Sequence, residues 1–190
     1  MNDKLIESLR QVDQFTDTEI DLFKSKLVTI RLSKGEHFLE EGQVNNHIGF
    51  IEKGLAMHYQ MIGGNEVARD FTIENNWLTY LKSFTNQSVS DMGIKALEDT
   101  DLICLTHSGL AELFVAQPKF IAVKNFYIEK SFVDIVQHNA NLAMLDAKQR
   151  YYKLMKEKPE IISRVSQYYI ASYLGIKPQS LSRIRKEANG

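Results

Sequence analysis

The residues with the most legible chemistry lie together in SQYYIASYLGIKPQSLSRIRKE, residues 166–187. Ala171, Gly175 and Leu181 follow the spacing Ala-x3-Gly-x5-apolar, which suits two short helices joined by a tight turn. Alanine lets the helices approach, glycine permits the turn, and leucine packs back from the second helix. Ile170, Leu174, Ile176 and Ile184 complete a small core. With the second helix starting at Pro178, its early exposed positions are Gln179, Ser180, Ser182 and Arg183. These types can meet a DNA major groove, arginine bidentate to guanine, glutamine to adenine, serine to a base edge or phosphate. Lys177, Arg185 and Lys186 are read as phosphate contacts, which supply affinity without sequence choice. Helical hairpins of other kinds can mimic the spacing.

Charge supports a polyanionic partner at this end of the chain. The 190 residues sum to −1, but residues 1–146 hold 13 Lys/Arg against 21 Asp/Glu, a net −8, and residues 147–190 hold 10 against 3, a net +7. An acidic body with a basic tail fits approach to nucleic acid by the tail alone, and a merely solvated basic face is the alternative.

Other reactive residues offer less. One cysteine, Cys104, cannot make an internal disulfide, a four-thiolate iron–sulfur site or a thiolate-rich zinc site. It lies in the strand-like DLICLT, where burial is the simpler account. His37, His47, His58, His107 and His138 contain no HxH pattern of the kind a cupin-type metal site uses. No metal, cofactor or catalysis is therefore expected. Tyr151, Tyr152, Tyr168, Tyr169 and Tyr173 read mostly as helix packing, with one or two hydroxyls within reach of phosphate.

Several elements must position the tail. Leu5, Ile6 and Leu9, then Ile20, Leu22, Phe23 and Leu27, recur at helical spacing. From Leu27 the segments LVTIRL, EHFLEE, HIGFIEKG, LAMHYQMI, EVARDFT, GIKALED and DLICLT are short and rich in β-branched and aromatic residues. Gly35, Gly42, Gly54 and the pair Gly63-Gly64 punctuate them, and Gly63-Gly64-Asn65 suits a hairpin turn. About eight such strands imply an antiparallel barrel or jelly roll. Ser108 is the expected cap of a helix over LAELF, and Pro118 the expected first turn of a long helix to about Leu145. Ile121, Ile128, Ile135 and Leu142 fall seven apart, supported by Phe132 and Leu145; Phe126, Val133 and Ala140 form a second stripe. One face can pack on the barrel, and the other calls for a second copy unless the monomer covers it. Asp146 can cap a further helix over 147–157, which Pro159 interrupts. The expected class is α+β, with N-terminal helices and barrel at 1–117, a dimerisation helix at 118–145 and a DNA-binding unit at 146–190.

Over about residues 27–187 the chain resembles the Crp/Fnr family of bacterial transcription regulators. The likeness rests on KGEHFLEEG, FIEKG, a long helix ending NLAMLD, and GIKPQSLSRI. It implies base-contacting roles for Gln179, Ser182 and Arg183. Many members carry Glu at the Gln179 position, so the half-site sequence stays open. The chain is most similar to short members that lack the β-hairpin wing after the recognition helix.

In that family cyclic nucleotides are held by Phe-Gly-Glu and, about ten residues on, Arg-Ser/Thr-Ala. The corresponding residues here are Trp77-Leu78-Thr79-Tyr80 and Ser90-Asp91-Met92, and no Arg occurs between Arg69 and Arg150. Losing the Arg removes a charge-assisted phosphate bond of about 1.5–3 kcal/mol, and Asp91 adds a like charge. Binding of cAMP or cGMP is not expected. Trp77, Tyr80 and Met92 are candidates to line an apolar effector pocket, with core packing as the alternative.

The resulting expectation is a homodimeric, sequence-specific reader of a palindromic duplex. Its dimer contacts are Ile121, Ile128, Phe132, Ile135 and Leu142. The resemblance adds RNA polymerase and an unidentified small-molecule effector as partners, the effector rotating the tail about a hinge near Asp146. MNDKLIESLR lacks a signal-peptide core and no apolar run reaches membrane-spanning length, so the cytoplasm is the expected compartment. The rivals are a small-molecule-binding module whose tail no longer reads DNA, and a cupin-like metalloenzyme.

Overall fold

The computed structural model describes residues 3–188. Two short helices lead, α1 (Asp3–Arg10) and α2 (Asp17–Ser25). Thr16 and Glu19 close a reciprocal capping box on α2, satisfying backbone donors that the helix start would leave open. Eight strands follow: β1 (Leu27–Leu32), β2 (His37–Leu39), β3 (His47–Lys53), β4 (Leu55–Ile62), β5 (Asn65–Ile73), β6 (Trp77–Leu78), β7 (Gly93–Ala96) and β8 (Thr100–Thr106). A one-and-a-half-turn helix, α3 (Leu81–Asn86), separates β6 from β7. The strands form two antiparallel four-stranded sheets, ordered β1-β8-β3-β6 and β2-β7-β4-β5.

The Gly63-Gly64 turn forms as its residues require. Both glycines have positive φ, 58° and 80°, and Ile62 pairs with Asn65 across a two-residue hairpin loop. EHFLEE is shorter as a strand than its composition suggests, pairing only over His37–Leu39.

Between the sheets lie Leu39, Ile51, Ala56, Leu78, Ile94, Leu102 and Cys104. The outer face of the first sheet is covered by α1, α2, α4 (His107–Ala116) and the start of α5 (Phe120–Met144). Phe15 and Phe23 stack on Phe120 there, with ring centroids at 4.7 and 5.7 Å. The outer face of the second sheet is covered by the basic tail: α6 (Ala147–Glu157), α7 (Pro159–Arg164), α8 (Gln167–Tyr173) and α9 (Pro178–Ala188).

Helix boundaries differ from expectation at two points. Thr106, not Ser108, caps α4: its hydroxyl accepts the Gly109 N–H at 2.9 Å, because the helix starts directly on the last residue of β8. Pro118 lies before α5 rather than in its first turn. Only residues 117–119 connect α4 to α5, and the Pro118 carbonyl accepts the Ile121 N–H at 2.9 Å. Pro159 does more than interrupt, since it opens α7 at a position where a missing N–H costs nothing.

Within α5 only Phe120 and Val123 are buried. Ile121, Phe126, Phe132, Val133, Ile135, Val136, Leu142 and Met144 are exposed, and Ile128 is half-buried.

Candidate nucleic-acid interface

The expected pair of helices in the tail is present. Ser166 caps α8, accepting the Tyr169 N–H. The helix ends in a Schellman-type turn: Gly175 takes φ +67°, its N–H reaches the Ser172 carbonyl at 3.0 Å, and the Ile176 N–H reaches Ala171 at 2.9 Å. Pro178 then opens α9. Ile170, Ala171, Leu174, Leu181 and Ile184 are all buried, with Ile176 packed against them.

Helix α9 turns one face to solvent. Gln179, Ser182, Arg183 and Lys186 are exposed and fall at i, i+3, i+4 and i+7, a single stripe. Lys177 is exposed just before the helix, and Ser180 and Arg185 are half-buried on its flanks. Among the described residues none of these seven side chains enters an ion pair or a side-chain hydrogen bond with the rest of the protein. Glu187, next to this stripe, is held aside by Lys148 of α6 at 2.8 Å. The stripe thus offers one amide, one hydroxyl and two cations, of which Arg183 feels the charge of Glu187 without forming an ion pair with it among the described residues.

The tail is bonded directly to the barrel. Arg164 of α7 donates to both oxygens of Glu74, at 2.7 and 2.8 Å, and to Glu98 at 2.7 and 3.1 Å. Those bonds hold the Glu74 carboxyl down to about 2, with further help from the Gly54 N–H, and push the guanidinium of Arg164 up. Tyr169 of α8 donates to Glu66, whose carboxylate also takes Lys95 at 2.7 and 2.9 Å. Burial and that carboxylate push the phenol of Tyr169 up. The Ser172 hydroxyl accepts the N–H of Ala68 at 3.0 Å. Around these polar links, Leu55, Met57, Tyr59, Ala68 and Phe71 share one apolar cluster with Tyr151, Leu154, Ile161, Val165 and Ile170.

The end of α5 is tied in as well. Asp146 and Gln149 form a second capping box at α6. Arg150 donates to carbonyls at the C-terminal ends of both α5, at Leu145, and α8, at Leu174, a favourable place for a cation because helix dipoles end there. His138 stacks on Tyr173 at 4.5 Å.

The trio Trp77, Tyr80 and Met92 is not brought together as a pocket. Strand alternation sends Trp77 outward onto Phe50 and Tyr127, with centroids at 5.4 and 6.0 Å, while Leu78 points between the sheets. Tyr80 packs at the edge of the inner core and donates to Asp91 at 2.7 Å, and Met92 is half-buried. The Tyr80 hydroxyl and Lys82 hold the Asp91 carboxyl at about 2. Ser90 is buried, and its hydroxyl bonds, among the described residues, only to the backbone of Met92. Burial pushes the Cys104 thiol up to about 12, which removes it as a nucleophile at neutral pH. Among the described residues no three His, Cys, Asp or Glu side chains are grouped to hold a metal ion, and no helix is long and apolar enough to cross a membrane.

Most tail residues that read DNA in the sequence-based expectation are placed together on α9. The junction residues Arg164, Glu74, Glu98, Tyr169 and Glu66 carried no local signal, because the partners that join tail to barrel are distant in sequence.

The architecture is a two-sheet barrel, a long helix with an exposed apolar face and a C-terminal helix-turn-helix. It is the fold of the Crp/Fnr-type regulators. CLP of Xanthomonas campestris, described as a c-di-GMP responsive global regulator, superposes with a TM-score of 0.73 at 15% identity, over 92% of this chain and 92% of its own. FixK2 of Bradyrhizobium japonicum gives 0.72 at 15% identity, over 86% and 84%. A transcriptional regulator of the Crp/Fnr family from Eubacterium rectale gives 0.68 at 15% identity, over 91% and 83%. No protein-family model matches the chain, and no curated protein matches it in sequence.

Proposed function

We propose that the chain is a homodimeric, sequence-specific DNA-binding transcription regulator of the Crp/Fnr type that does not bind cAMP. The observation that carries this reading is the solvent-facing stripe Gln179, Ser182, Arg183 and Lys186 on α9, behind a well-packed helix-turn-helix. In this reading Gln179, Ser182 and Arg183 meet base edges, while Lys177, Arg185 and Lys186 meet phosphates. The +7 tail and −8 body support approach by the tail. The exposed apolar face of α5 supports a second copy as its cover. Two-fold symmetry then calls for a palindromic site with half-sites roughly 34 Å apart. Two observations support the exclusion of cAMP. Ser90 and Asp91 stand where a phosphate would need a cation, and Leu39, Ile51, Leu78, Ile94 and Leu102 fill the space between the sheets.

The test is selection of genomic DNA fragments by purified protein at about 150 mM salt, with and without cAMP, followed by sequencing. A palindromic motif recovered equally in both is the expected result. A motif only with cAMP overturns the nucleotide claim. Weak retention of all sequences alike overturns sequence-specific reading and favours a binding module without DNA choice.

A further inference from the structure

Arg183 and Glu187 are four residues apart on α9, so their side chains are neighbours along one side of the helix, and both are exposed. A carboxylate at that spacing is the nearest partner a guanidinium can find, and an arginine occupied by its own helix is lost to a base edge. Among the described residues the two form no ion pair. Glu187 turns instead toward α6, where Lys148 Nζ donates to its Oε2 at 2.8 Å. That hydrogen bond and the lysine charge hold the Glu187 carboxyl below its ordinary range, and Arg183 adds a smaller contribution through its charge alone.

Neither member of the pair suits its own helix. Lys148 lies in the first turn of α6 and Glu187 in the last turn of α9. Helix dipoles favour anions at the start and cations at the end, so each charge is at the unfavourable end. The side chains are 50% and 58% exposed, and a pair so open to water adds little to stability. Glu187 is also the one carboxylate of α9, and residues 147–190 hold only two others, Glu157 and Glu160. Helix stability and the fold therefore leave the pair unexplained, and its direct consequence falls on Arg183.

We propose that Lys148 is a positioning residue for DNA reading: by engaging Glu187 it keeps that carboxylate off Arg183 and leaves the guanidinium free to meet a base. The inference rests on the DNA-binding reading of α9 and deepens it, adding a residue from outside the helix-turn-helix. Without Lys148, the cation beside Glu187 on its own helix is Arg183, and the arginine must then give up a carboxylate before it reaches a base edge.

The test compares affinities of the full chain for two duplexes of equal length, one carrying the motif recovered by selection and one with its sequence shuffled. Lys148→Ala should lower the ratio of the two affinities about twofold to fivefold at low salt. Lys148→Arg, which keeps a donor for the carboxylate, should hold the wild-type ratio. Glu187→Gln added to Lys148→Ala should restore it, and Glu187→Gln alone should leave it unchanged. Thermal unfolding midpoints should match wild type throughout, because every change is on an exposed side chain. A ratio that falls only where the midpoint falls would reduce Lys148 to a structural role and overturn the inference. An unchanged ratio in Lys148→Ala would overturn it, as would equal losses on both duplexes that Glu187→Gln does not restore, the mark of a phosphate contact. A lower ratio for Glu187→Gln alone would also overturn it, since the carboxylate would then be orienting Arg183. In each of these cases the DNA-binding reading stands. A wild-type chain that binds both duplexes alike would overturn that reading itself, and the inference with it.

Discussion

Arg164 and Glu74 grip each other at two points across the junction of tail and barrel, Nη1 to Oε2 at 2.8 Å and Nη2 to Oε1 at 2.7 Å. The geometry is the fork-on-fork match that a guanidinium makes with a carboxylate and a lysine ammonium cannot. Three-quarters of the Arg164 side chain is withdrawn from solvent, so the bond is less screened than a surface pair. Because Glu98 shares the same guanidinium, loss of the arginine strands two carboxylates at once.

Arg164→Ala should therefore destabilise the chain by about 2–3 kcal/mol in urea unfolding, and Glu74→Gln by less, since Glu98 still holds the arginine. The pH dependence has a defined sign. The Glu74 carboxyl titrates near 2 in the folded chain against an ordinary 4.5, so its contribution is complete above 4.5 and is lost as pH falls toward 2. In Glu74→Gln the decline of stability across that window should be shallower than in wild type. Parallel declines would remove Glu74 from the account of acid unfolding.

Arg183→Ala should cost about 1–3 kcal/mol on a specific duplex and much less on random DNA. Lys186→Ala should weaken all duplexes more evenly and lower the salt slope by about one. Binding isotherms at several salt concentrations separate the two, and equal losses on specific and random DNA for Arg183→Ala would remove it from base reading.

Glycine is required at Gly175 and Gly93 for different reasons, and alanine at each tells them apart. At Gly175 a Cβ would meet only Leu142 at 3.7 Å, an ordinary contact, so the cost comes from φ +67° alone, about 1–2 kcal/mol. At Gly93 a Cβ would come within 2.3 Å of the Tyr59 ring. That ring must move out of the cluster joining barrel to tail. Gly93→Ala should thus weaken DNA binding as well as stability, and Gly93→Ala with Tyr59→Leu should recover part of both. No recovery in thermal unfolding would show that the ring is not the obstacle.

The cap of α4 gives a small, clean contrast. Thr106→Ala removes the hydroxyl that accepts the Gly109 N–H and should cost about 1 kcal/mol. Ser108→Ala, one residue into the helix, should change thermal stability by a few tenths at most.

Much of this molecule was legible because its signals are local. The Gly63-Gly64 turn, the cap at Asp146 and the Ala171, Gly175, Leu181 spacing each depend on residues within one or two turns of chain. The cap of α4 was misread by two residues because Thr106 ends a strand and starts a helix at once, and strand patterning hid its second role. Trp77, Tyr80 and Met92 read as one lining, but a strand two residues long was enough to turn Trp77 outward. The junction was invisible in principle. Arg164 lies 90 residues from Glu74 and 66 from Glu98, and an isolated arginine carries no mark of which carboxylates the topology will bring to it.

The apolar cluster that runs without a break from Met57 and Phe71 to Ile170 and Tyr151 bears on how such a chain can be rebuilt. A DNA-reading unit that stands on its own can be exchanged between regulators like a cassette. Here the underside of the tail is the sheet, so a chimera carrying a foreign tail inherits mismatched shapes at Tyr59, Ala68 and Phe71, leaves Glu74 and Glu98 without their guanidinium, and leaves Glu66 with Lys95 but without the Tyr169 phenol. Under the proposed DNA-binding reading, change of target sequence is accordingly easiest on the outward stripe of α9, where Gln179, Ser182 and Arg183 are exposed and carry no side-chain hydrogen bond or ion pair among the described residues.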